Sequence, residues 1–142
     1  MESISDPRQS KSILLVEDEL DTLKVLSTIF AMKFPDVALH TANNGRTGLE
    51  LFKTHRPDIV ITDVNMPEMG GVQMAERILA IKPDTKFIVL SGDAAGLVLQ
   101  DSTGEEFEVG HYIAKPVSFT ELFATIEQCL DEITQQNNLQ GT

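Results

Sequence analysis

The strongest constraint on this chain is a rhythm. Short apolar runs recur along it: SILLV at Ser12–Val16, Val37–Ala42, DIVITD at Asp58–Asp63, KFIVL at Lys86–Leu90, and Tyr112–Ala114. Runs of four to eight apolar or β-branched residues between polar flanks read as buried strands. The intervening stretches change period. Leu20, Leu23, Leu26, Ile29 and Phe30 predict a helix closed by Pro35. Leu49, Leu51 and Phe52 predict a second, entered through the turn Asn43-Asn44-Gly45 and stopped by Pro57. Val72, Met74, Ala75, Ile78 and Leu79 predict a third, ended by Pro83. Leu122, Ile126, Cys129 and Ile133 predict the last, with Ser118 as N-cap and Glu121 completing a capping box.

Strands alternating with helices of these lengths imply an α/β fold, a doubly wound five-stranded parallel sheet of (βα)5 type. One stretch breaks the rhythm. Residues 93–110, DAAGLVLQDSTGEEFEVG, hold an apolar clump without helical period, and Gly96 and Ser102-Thr103-Gly104 weaken any helix there. The chain of 142 residues is the size of one domain. We expect the folded part to span 12–133, with flexible tails at 1–11 and at the Gln/Asn-rich 134–142, the latter also readable as the start of a linker.

Charge and composition narrow the function. The net charge of −11, with no Lys/Arg cluster, excludes direct nucleic-acid binding. No apolar run reaches the length of a membrane span, and MESISDPRQSKS lacks the apolar centre of a secretory signal. The single cysteine, Cys129, cannot form an internal disulfide. These features fit a cytoplasmic protein. There is no glycine-rich nucleotide loop, and the three histidines lack metal-ligand spacing.

In a doubly wound sheet the functional crevice lies at the carboxyl ends of the strands. The first strand ends at Glu17 and Asp18, the third at Asp63, the fourth at Ser91, and Lys115 follows the fifth. Three neighbouring carboxylates repel one another unless a cation joins them. Mg2+ suits such a set, with the Asn65 carbonyl placed as a neutral ligand. An aspartate there can attack phosphorus and become an acyl phosphate, while a metal, Lys115 and the Ser91 hydroxyl hold the transferring oxygens. A single acidic residue at a strand end is more often a cap or a solvated loop residue. Five such groups at the right strand ends are not explained that way.

The stretches LLVEDE, DIVITDVNMPEMGG, FIVLSGD and HYIAKP resemble, in order and spacing, the receiver domain of two-component response regulators, over about residues 11–133. The resemblance implies a flavodoxin-like, CheY-like single-domain receiver. Asp63 is then the phosphoacceptor, charged by a phosphohistidine on a histidine kinase or histidine phosphotransfer protein. Glu17, Asp18, Asp63 and Asn65 form the Mg2+ site. Ser91 is the switch hydroxyl, Tyr112 the aromatic switch, and Lys115 the phosphate-contacting lysine, followed by Pro116, where the family often has a cis bond. Asn65 and Asp93 flank the approach of hydrolytic water.

On this reading the chain is a signalling protein rather than an enzyme. Its signal leaves through protein–protein contact with a downstream target or by passing the phosphoryl group on, and a homodimer is compatible with it. Two alternatives remain. An aspartyl-phosphate phosphohydrolase normally carries a second Asp two residues after the nucleophile, where this chain has Asn65. A receiver-shaped interaction module that is never phosphorylated would have no use for Asp63, the acidic pair and Lys115 together.

Overall fold

The computed structural model describes residues 11–63, 71–91, 99–100, 106–107 and 110–140. In chain order the elements are β1 (Ser12–Val16), α1 (Leu20–Lys33), β2 (Ala38–Ala42), α2 (Gly45–His55), β3 (Ile59–Asp63), α3 (Gly71–Ile81), β4 (Lys86–Ser91), β5 (Leu99–Gln100), β6 (Glu106–Phe107), β7 (Gly110–Ala114) and α4 (Phe119–Gln140). Five strands form a parallel sheet in the order β2-β1-β3-β4-β7. The expected doubly wound sheet is therefore present.

The central strands are apolar on both faces because each face has its own core. Ile13, Leu15, Ile59, Ile61, Ile88, Leu90 and Ile113 pack with Leu26 and Phe30 of α1 and with Leu122, Ile126, Cys129, Leu130 and Ile133 of α4. Leu14, Val16, Val60, Phe87 and Val89 point the other way, onto Leu49 and Phe52 of α2 and Met74, Ala75 and Ile78 of α3. This is the period of two of a pleated strand, satisfied on both sides.

Local chemistry sets the helix ends. The Asn44 side chain accepts from the Thr47 amide at 2.8 Å and caps α2. Arg56, with φ of 46°, closes α2 in the left-handed conformation ahead of Pro57. The Ser118 hydroxyl accepts from the Glu121 amide at 3.3 Å at the start of α4, as the sequence predicts.

Three details go beyond the sequence reading. Residues 93–110 break the strand–helix rhythm in the sequence. Among the described residues, the crossover between β4 and β7 carries an antiparallel ladder, Leu99 opposite Phe107 and Gln100 opposite Glu106. In the sequence, Gly96 and Ser102-Thr103-Gly104 have low helix propensity. Next, α4 runs past Ile133 to Gln140. No Gly or Pro intervenes before Gly141, and glutamine is a good helix former, so helix outlasts the apolar stripe. Finally, Leu20 lies on no buried stripe and is 62 % exposed at the first residue of α1. Among the described residues no helix is long and apolar enough to cross a membrane.

Candidate phosphoacceptor and cation site

Strand register builds the site. Val16 pairs with Ala42 on one side and Thr62 on the other, so Glu17 and Asp63, each the next residue, emerge side by side. The strand order reverses here: β2 lies on one flank of β1 and β3 on the other. That is the topological switch point, where an open α/β sheet forms its crevice. Farther along, Ser91 pairs with Ala114, which brings Lys115 to the same edge. Lys115 and Pro116 are joined by a cis peptide bond, as the sequence resemblance implied.

Glu17 and Asp63 are buried, and Asp18 is exposed. One carboxylate oxygen from each lies within 4.8 Å of the others. Lys115 Nζ donates to Asp63 Oδ2 at 2.5 Å. A cleft of about 630 Å³ opens above them, floored by Leu26, Leu90 and Val117. Apolar walls under a charged cluster keep water from screening it fully.

The electrostatics follow from this packing. Burial pushes the Glu17 carboxyl above its ordinary value, and the nearby Asp63 and Asp18 carboxyls act in the same direction. The Glu19 amide, which donates to Glu17 Oε2 at 3.1 Å, and Lys115 only partly offset this. For Lys115, burial acts to lower the value, but hydrogen bonding and attraction to Asp63, then to Glu17 and Asp18, outweigh it, so the ammonium is held above its usual range. A cluster with one lysine against three carboxylates retains excess negative charge. A hard divalent cation with oxygen ligands fits that donor set.

The residues expected at the site are not all placed alike. Glu17, Asp18, Asp63 and Lys115 come together. Ser91 closes β4 at the same edge, and its side chain lies outside the described part, as do Asn65 and Asp93. Tyr112 does not line the cleft. It is half-buried on β7, packed against the core under α2 and α3. Asp18 does not cap α1: the N-cap position is Glu19. Glu19 and Thr22, whose hydroxyl donates to the Glu19 carboxylate, also rim the cleft. The sequence marks them only by adjacency to Glu17 and Asp18.

Comparison with known proteins agrees with this architecture. Residues 13–127 match the response regulator receiver domain family. The chain is 33% identical over 120 residues to the regulatory protein AtoC of Escherichia coli, covering 83% of this chain and 25% of that protein. It is 31% identical over 126 residues to the uncharacterized transcriptional regulatory protein YesN of Bacillus subtilis, covering 88% of this chain and 34% of that one. The chain thus spans about a third or less of these two relatives. Among solved structures, the N-terminal domain of an uncharacterized protein from Wolinella succinogenes is 30% identical with a TM-score of 0.72, covering 90% of this chain and 99% of that one. A CheY-like response regulator receiver domain protein from Methanospirillum hungatei is 25% identical with a TM-score of 0.73, over 89% and 98% of the two chains. By sequence and by fold, the chain belongs to the response regulator receiver domain family of two-component systems.

Proposed function

We infer that the chain is a phosphorylation-activated switch in which Asp63 accepts a phosphoryl group with the help of Mg2+. The observation that carries this reading is the ion pair of Lys115 with the buried Asp63 carboxylate, beside Glu17 and Asp18 at the strand switch point. Asp63 attacks the phosphorus of a phosphohistidine on a histidine kinase or histidine phosphotransfer protein. The new bond is Asp63 O–P. The bond that breaks is N–P, whose electron pair leaves with the donor imidazole. Glu17, Asp18, Asp63 and the Asn65 carbonyl would hold the cation, which when bound would supply positive charge to the transferring oxygens. Lys115 and the Ser91 hydroxyl hold others. Phosphoryl transfer depends mainly on such positioning and charge, so little further machinery is required.

The product signals through protein–protein contact in the cytoplasm, and catalysis on an external substrate is no part of this function. Asn65 and Asp93 would tune the lifetime of the acyl phosphate. Incubation with acetyl phosphate and Mg2+ followed by mass spectrometry tests the reading. One phosphoryl group should appear on Asp63 of the wild type, none on Asp63→Asn, and none when EDTA removes the cation. Equal labelling of wild type and Asp63→Asn would refute it.

A further inference from the structure

The geometry points to a second metal site, for a borderline-soft divalent ion of the zinc class, at the seam between β7 and α4. His111, Cys129 and Glu132 each offer a donor atom, and these atoms all lie within 4.8 Å of one another. His111 shares with Ile113 the face of β7 that packs on α4, since alternate strand residues point the same way. Cys129 and Glu132 stand three apart on α4 and so occupy one helical face. Imidazole, thiolate and carboxylate are the donor types that bind zinc, and thiolate distinguishes such a site from one for Mg2+.

The burial pattern fits a site with an open mouth. Cys129 is fully buried, forms no disulfide, and has no hydrogen-bonding partner among the described residues. His111 and Glu132 are half-exposed and form the rim. Metal–sulfur and metal–nitrogen bonds of about 2.3 and 2.0–2.1 Å require the donors to close by at most about 1 Å. The two rim side chains have the freedom to do so, while the cysteine stays fixed in the core. Lys86 Nζ lies 3.6 Å from the Glu132 carboxylate and holds the negative charge that a cation would take over. Burial, with Glu132 nearby, pushes the Cys129 thiol up to about 11, so it carries a proton until a metal displaces it. His111 is the second residue of β7 and Lys115 follows its last, which separates this site from the carboxylate cluster.

Cobalt(II) titration of the full chain tests the proposal, because Cys129 is its only cysteine and a thiolate-to-cobalt absorption band can come from nowhere else. The wild type should show the band at one ion per chain. Zinc should displace it, and excess Mg2+ should not. Cys129→Ser should abolish it. His111→Ala and Glu132→Gln, both at the half-exposed rim, should weaken binding by about tenfold or more, since even outer partners of a metal site cost that much. Asp18→Ala should leave the band intact. Absence of the band in folded wild type, or a band unchanged in either His111→Ala or Glu132→Gln, would overturn the assignment.

Discussion

His40 on β2 and His55 in the last turn of α2 stack with ring centroids 3.9 Å apart and planes 12° from parallel. Burial first, and the neighbouring His55 second, hold the His40 imidazole below its ordinary 6.5. The unfolded chain therefore takes up this proton at higher pH than the folded one does. The stability tied to neutral His40 is complete above 6.5 and is lost as pH falls through the lower folded value. Urea denaturation at about pH 7.5 and about pH 5 should show a larger acid-side loss in the wild type than in His40→Gln. Equal losses would exclude this pair as a source of acid sensitivity. Nothing in the sequence marks the two histidines as partners. They lie on different elements, and only the packing of α2 beside β2 joins them. The residues of the acidic cluster differ in this respect: each stands at the end of an apolar run, where a strand-counting reader looks.

At the scale of the element, α2 lies close on the sheet because Gly48 has no side chain. A Cβ there would meet Met74 Sδ at 2.9 Å and Val16 Cγ2 at 3.0 Å. Met74 is flexible, but Val16 is a β-branched residue on a central strand, one position before Glu17, and has nowhere to move. Overpacking of this kind costs about 1–3 kcal/mol, against a helix-propensity gain of about 1 kcal/mol. Gly48→Ala should accordingly lower the urea midpoint, with a net loss of up to about 2 kcal/mol. A stabilised variant would mean that Met74 swings aside at little cost. The elements themselves are legible because their signals are local: five apolar runs, the Asn43-Asn44-Gly45 turn, the Ser118 capping box, and prolines after each of the first three helices. The β5–β6 ladder is not legible, since strands of two residues have no period and their pairing joins segments that no local signal connects. The length of α4 is missed for a related reason. Its last turns are helical without an apolar stripe, and the stripe was the signal in use.

For the whole molecule, the question is how an event at Asp63 reaches another surface. Tyr112 lies on β7 three residues before Lys115, on the sheet face away from α4. It is the only tyrosine in a chain without tryptophan, so intrinsic fluorescence reports on it alone. If Tyr112 responds to phosphorylation, Mg2+ with beryllofluoride should change its emission and its quenching by acrylamide in the wild type and not in Asp63→Asn. Unchanged emission in the wild type would leave Tyr112 as a fixed packing residue. The sequence alone determined the period-two strands, the helical stripes and the chemistry available at each strand end, because backbone geometry and burial impose those patterns locally. Only the tertiary structure decided which side chains meet. Register sets Glu17 beside Asp63, the fifth parallel strand carries Lys115 onto that carboxylate, and the docking of α4 on β7 brings His111 to Cys129 and Glu132. Such contacts join residues far apart in the chain, and they form because burying both faces of one sheet leaves few ways to arrange its cover.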